Sequence, residues 1–136
     1  RWTMVPACFC REAVVERTIT IRSSGRQTRD FISLENVSRA VEAVCGQSPR
    51  PFDIINAASG KTRSIEEVAL AVRKAYGELT GGCEAVIRKT GAEPQTSNRF
   101  TVSTAKLRND YGFAPDESMT LEGEIAYLLS ALAAKP

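Results

Sequence analysis

Apolar and polar residues alternate over residues 18–22, Thr-Ile-Thr-Ile-Arg. A period of two, with β-branched side chains, predicts a strand with one face buried. Ser23, Ser24 and Gly25 follow as a turn, and Phe31-Ile32 as a short extended piece. Leu34, Val37, Ala40, Val41 and Val44 then recur at helical spacing, which predicts a helix ending near Gly46 with these residues on its inner face. Upstream, Pro6 fits the first turn of a helix reaching about Glu16, with Phe9, Ala13 and Val14 turned inward. Pro49-Arg50-Pro51 forces a connecting loop. Residues 52–56, Phe-Asp-Ile-Ile-Asn, read as a buried strand closed by Ala57-Ala58-Ser59-Gly60. Strands this apolar are usually covered on both faces in a larger sheet, so this one implies neighbours.

Ser64-Ile65-Glu66-Glu67 is a capping box, in which hydroxyl and carboxylate exchange backbone N–H groups. The helix it opens carries Ile65, Val68, Ala69, Val72 and Tyr76 on one side and is expected to end at Gly77. Thr80-Gly81-Gly82 is a loop, residues 84–88 a strand, residues 91–98 a polar loop, and residues 99–102 extended. Ser103 is placed to cap a short helix through Leu107 and Tyr111, stopped by Gly112, with Pro115 in the turn beyond. Thr120 is placed to cap a last helix whose apolar stripe is Leu121, Ile125, Leu128, Leu129 and Leu132. Short strands interleaved with about five helices make an α/β chain with an α+β-like character.

Composition narrows the function classes. The 136 residues suffice for a domain with its own core. The net charge of +2 comes from scattered Lys and Arg, which argues against nucleic acid. Residues 126–134, the longest nearly apolar stretch, are about half of what a bilayer helix needs. No signal peptide opens the chain, and the first residue is Arg1, so the text is expected to begin partway through a longer product. Cys8, Cys10, Cys45 and Cys83 match no zinc spacing, and the chain has no histidine. They are expected to be reduced, mostly buried thiols of a cytoplasmic protein.

The absence of histidine turns attention to arginine. In residues 25–32, Gly-Arg-Gln-Thr-Arg-Asp-Phe-Ile, a basic residue follows a glycine turn at the edge of a strand. Glycine lets the backbone reverse beside a ligand, and a guanidinium aims a planar fork of donors at a phosphate.

Four pieces, in this order, resemble the C-terminal part of the extended short-chain dehydrogenase/reductases, the NAD(P)-dependent nucleotide-sugar epimerases and dehydratases. They are residues 19–25 running into Thr28-Arg29-Asp30-Phe31-Ile32; residues 52–60; Ser64-Ile65-Glu66-Glu67-Val68-Ala69; and residues 102–107 with Tyr111-Gly112-Phe113-Ala114-Pro115. Together they span about residues 18–130. The chain departs from the family in three respects. It lacks the Gly-rich dinucleotide turn. It also lacks the catalytic Tyr-x-x-x-Lys, since Tyr76, Tyr111 and Tyr127 are followed four positions later by Thr80, Pro115 and Ala131. The usual Arg-Pro-Gly-Asp loop is replaced by residues 88–93, Arg-Lys-Thr-Gly-Ala-Glu, so no role carries over to Arg88.

The resemblance implies a substrate-binding lobe, incomplete without an N-terminal Rossmann domain that holds NAD or NADP and performs the chemistry. Carried over by position, Arg29 would bind the diphosphate of a nucleotide-diphosphate sugar, with Arg99 as a second cation. The backbone of Thr20 and Ile21 would face the nucleobase. No turnover is expected from this segment alone, and a homodimer would form through the absent half. The rival expectation is a non-catalytic nucleotide- or anion-binding module of the same fold. A thiol or metal protein built on the cysteines is a third.

Overall fold

The computed structural model describes residues 4–47, 52–91 and 101–134. In chain order these form α1 (Val5–Glu16), β1 (Thr18–Ile21), β2 (Thr28–Asp30), α2 (Leu34–Cys45), β3 (Thr62–Ser64), α3 (Ile65–Leu79), β4 (Val86–Lys89), α4 (Ala105–Tyr111) and α5 (Leu121–Ala133). Five helices and short strands give the mixed α/β architecture that the patterning predicts. The chain divides into two compact units. One comprises residues 1–28, 63–99 and 122–136, the other residues 29–62 and 100–121.

In the first unit β1 and β4 pair in parallel, Thr18 beside Val86 through Ile21 beside Lys89. Ile19 and Ile21 are fully buried, as the alternation of β1 requires. α1 packs on α3 and β1, and Phe9, Cys10 and Ala13 of α1 and Val68, Ala69, Val72 and Tyr76 of α3 are all buried. Ile125 and Leu129 of α5 are buried in this unit as well. Pro6 stands in the first turn of α1, where no N–H is needed.

α3 begins as its sequence dictates. The Ser64 hydroxyl accepts from the Glu67 N–H at 3.1 Å, and the Ser64 N–H donates to the Glu67 carboxylate at 2.6 Å. The helix does not stop at Gly77 as expected but runs on to Leu79. Gly77 is buried, with Glu84 close beside it. A glycine inside a packed helix can be a point of close approach instead of a terminator.

The second unit holds α2 and α4. Its core joins Ala40, Leu107, Tyr111 and Phe113, with Ala43, Val44 and Ile55 packed against them. Ser33 caps α2, its hydroxyl accepting from the Asn36 N–H at 3.1 Å. The predicted inner face of α2 is only partly covered: Ala40 is buried, but Leu34 and Val41 are exposed. Buried Asn36 takes the inner position that the apolar count overlooked. Its amide exchanges two hydrogen bonds with the Asp116 backbone, at 2.8 and 3.2 Å. α4 starts after Thr104, one residue later than Ser103 predicts, and Gly112 closes it at φ +65°.

Residues 52–56 are not a strand. Phe52 is 82% exposed and Ile54 70% exposed, and only Ile55 joins the core. A strand exists only through a partner's hydrogen bonds, and no described strand pairs with this segment. β2 and β3 form a second two-stranded sheet, placing the extended piece two or three residues earlier than Phe31-Ile32. The loop at residues 49–51 and most of residues 91–102 fall outside the described residues.

Candidate functional site

The turn before β2 is tightly built. Gly25 has φ +81°, a conformation that side-chain-bearing residues adopt at a cost. A Cβ there would also meet the Glu66 Cβ at 3.2 Å. The Ser23 hydroxyl donates to the Gln27 side-chain oxygen at 2.8 Å and accepts from the Gly25 N–H at 3.2 Å. The Gly25 carbonyl accepts from the Glu66 N–H and the Gln27 carbonyl from the Ile65 N–H, both at 3.0 Å. With the Ser64 cap, these bonds engage the first three N–H groups of α3. A helix amino end is an anion site only when such groups are unpaired, so this one is closed to phosphate. The turn instead delivers the chain into β2.

Arg29 is the middle residue of β2 and is exposed, whereas Thr28 and Asp30 on either side are half-buried. Side chains alternate along a strand, so Asp30 lies across the strand from Arg29. The Asp30 carboxylate accepts from the Ser59 N–H at 2.7 Å and the Gly60 N–H at 2.8 Å. Gly60 is held at φ +73°. One oxygen goes to each N–H, so the carboxylate grips the turn at residues 59–60 as a two-point clamp. Hydrogen bonds to a charged acceptor are the stronger kind. This clamp joins positions about thirty residues apart, and neither motif announces it by itself.

The other carried-over residues fare differently. Arg99 lies outside the described residues. Ile21 is fully buried in β1, and its carbonyl accepts from the Thr90 N–H at 3.0 Å. The Thr20 N–H donates to the Glu12 carboxylate at 2.7 Å. Glu12, itself buried, also meets the Arg22 guanidinium at 2.9 Å. Two of the backbone groups expected to read a nucleobase are thus engaged within the first unit. Arg88 is exposed on β4. The adjacent Lys89 bonds Glu66 at 2.8 Å.

A cluster in the second unit went unread in the sequence. Asp53 accepts from the Lys106 ammonium and, at 2.7 Å, from the Tyr111 hydroxyl. Lys106 also reaches the Ile54 carbonyl at 3.2 Å. The Lys106 bond, then the Tyr111 bond, hold the Asp53 carboxyl below its ordinary range. The cluster ties residues 53–54 to α4. Tyr111 and Lys106 stand five positions apart, and their hydrogen-bonding groups converge on one carboxylate.

The cysteines divide against expectation. Cys10 is fully buried, and that burial pushes its thiol up to about 12. Cys8 is half-buried, but Cys45 and Cys83 are exposed. Both exposed thiols sit at or beyond helix ends, where no core covers them. Among the described residues no group of three or more His, Cys, Asp or Glu could hold a metal, and no helix is long and apolar enough to cross a membrane. A surface hollow of about 570 Å3 runs along α3, but its Arg73 and Glu84 lie 3.7 Å apart and balance each other.

No protein-family model matches the chain. Over 76 residues it is 30% identical to a dTDP-L-rhamnose 4-epimerase of Burkholderia thailandensis, a match covering 56% of this chain and 21% of that protein. Its fold is shared with RMD from Pseudomonas aeruginosa, solved with NADPH, at a TM-score of 0.81 and 17% identity; the match covers 98% of this chain and 44% of that one. It is shared with TunA, an NAD-dependent NDP-hexosamine 5,6-dehydratase involved in tunicamycin biosynthesis, at a TM-score of 0.76 and 18% identity, covering 100% and 42%. It is shared as well with the UDP-glucuronic acid 4-epimerase of Bacillus cereus, solved with UDP-glucuronic acid and NAD, at a TM-score of 0.75 and 17% identity, covering 97% and 40%. The chain spans about two fifths of the length of these structures. The resemblance to NAD(P)-dependent epimerases and dehydratases is therefore present in fold over nearly the whole chain and in sequence over part of it.

Proposed function

We propose that this chain is the nucleotide-sugar-binding part of an NAD(P)-dependent epimerase, dehydratase or reductase, and that Arg29 grips the substrate's diphosphate. The observation that carries the reading is the presentation of Arg29. A closed glycine turn leads into a strand that leaves this one cation exposed while its neighbour is anchored on the opposite side. A guanidinium offers two parallel N–H bonds to phosphate oxygens and stays charged at all working pH values. The relatives whose fold it shares include proteins solved with UDP-glucuronic acid and NAD.

Arg99 is proposed as a second cation, since two positive charges would offset those of a diphosphate. Thr20 and Ile21 are left out of the proposed contacts, because the Thr20 N–H and the Ile21 carbonyl already have partners. The amino end of α3 does not fit a pyrophosphate, because its leading N–H groups are bonded internally. We place NAD or NADP, the acid–base tyrosine, hydride transfer and any dimer contact on parts of the parent enzyme outside this chain, in a cytoplasmic protein.

Arg29→Ala tests the reading. It should weaken UDP-glucuronic acid binding by about 1.5–3 kcal/mol, the contribution of hydrogen bonds to a charged group. Arg11→Ala, on the exposed side of α1, should leave it unchanged. Equal affinity of Arg29→Ala and the unsubstituted chain in calorimetry rejects the assignment. The second reading, a non-catalytic module of the same fold, rests on the absence of Tyr-x-x-x-Lys and of the Gly-rich turn from these residues. A reading frame that extends upstream of Arg1 and encodes both motifs decides for the enzyme.

A further inference from the structure

We infer that Asp30 is a positioning residue for anion binding by Arg29, acting through the turn at residues 59–60; the inference rests on the nucleotide-diphosphate reading above. Three observations in the second unit meet here. Both Asp30 oxygens are used, one on the Ser59 N–H at 2.7 Å and one on the Gly60 N–H at 2.8 Å. The turn they hold is built on a glycine at φ +73°. Asp30 is the immediate neighbour of Arg29 in a strand only three residues long.

A strand this short has few ladder bonds to fix its roll about its own axis. The clamp supplies two further bonds at the residue where roll matters. With Asp30 held on one side, alternation turns Arg29 to the other. Arginine has a long, rotamer-rich side chain, so fixing its base lowers the ordering cost of a bidentate contact.

Charge makes the inference testable. A carboxylate beside a phosphate site repels the ligand, so if Asp30 acted only through its charge, Asp30→Asn would tighten anion binding. If Asp30 positions Arg29, the same substitution weakens it. The asparagine keeps one acceptor oxygen but turns an NH2 group toward a backbone N–H, and the clamp opens.

The experiment is a calorimetric titration of UDP into the unsubstituted chain, Arg29→Ala, Asp30→Asn and the double variant. Asp30→Asn should lose roughly fivefold to tenfold in affinity, the range of coupling expected between neighbours. The double variant should bind no more weakly than Arg29→Ala, because the two residues act as one device. Asp30→Asn binding as tightly as the unsubstituted chain, or more tightly, overturns the inference and leaves the Arg29 reading standing. An Arg29→Ala variant with unchanged affinity, or an unsubstituted chain that takes up no UDP, overturns both. Should Asp30→Asn fail to melt cooperatively, Gly60→Ala opens the clamp from the other end. Alanine is strained at φ +73° and pulls the Gly60 N–H away from Asp30. Weakened UDP binding by Gly60→Ala supports the inference, and unchanged binding overturns it.

Discussion

At the scale of single residues, the acidic side chains do more than the sequence discloses. Arg29 stands out in the sequence, because a basic residue after a glycine turn carries its own chemical meaning, and the structure leaves it exposed in β2. Asp30 and Asp53 were not, since each draws its meaning from a partner far along the chain: the turn at residues 59–60 for one, Lys106 and Tyr111 for the other. Asp53 yields a prediction with a definite sign. The Lys106 bond first, then the Tyr111 bond, hold its folded pKa below the ordinary 3.8. The stability it contributes is therefore fully present above that ordinary value. It is lost as pH falls, because the unfolded chain takes up the proton first. Urea midpoints of the unsubstituted chain should drop between neutral pH and the lowered pKa, and those of Asp53→Asn should drop less. Parallel pH profiles for the two proteins would show that the Lys106 and Tyr111 bonds contribute nothing to stability.

At the scale of elements, what could be read was what is local. The capping box of α3, the proline of α1 and the period-two strand β1 each carry their instructions within a few residues, and each formed as expected. The segment 52–56 failed for the opposite reason. Its apolar content suits a place in a sheet, but no described strand pairs with it and the segment stays out of the sheets. The inner face of α2 was misjudged because hydrophobicity alone ranked Leu34 and Val41 above Asn36, whose amide is satisfied by the Asp116 backbone. Close approach of backbones is equally invisible to patterning. A Cβ on Gly91 would lie 2.3 Å from the Ser23 Cα, just beyond the Thr90 N–H that bonds the end of β1. Gly91→Ala must push the Ser23 turn away, and overpacking of this kind costs about 1–3 kcal/mol. Thermal unfolding should show that loss, whereas an unshifted midpoint would mean the two backbones can part freely.

At the scale of the whole molecule, several large apolar side chains are left in water. In the second unit Leu34, Val41, Phe52 and Ile54 are all more than half exposed. Exposed apolar residues are ordinary on a folded surface, and these four lie on two segments of the unit, α2 and residues 52–54. The chain spans about two fifths of the solved proteins that share its fold. Phe52 and Ile54 are both highly exposed. Their exposure means they contribute little to the folding of the chain as it stands. Replacing both, Phe52→Ser with Ile54→Thr, should therefore lower binding of an apolar fluorescent dye while leaving the thermal midpoint within about 2 °C, as surface substitutions do. A midpoint several degrees lower would show that these side chains are part of the core after all, packed in solution against a surface of this chain.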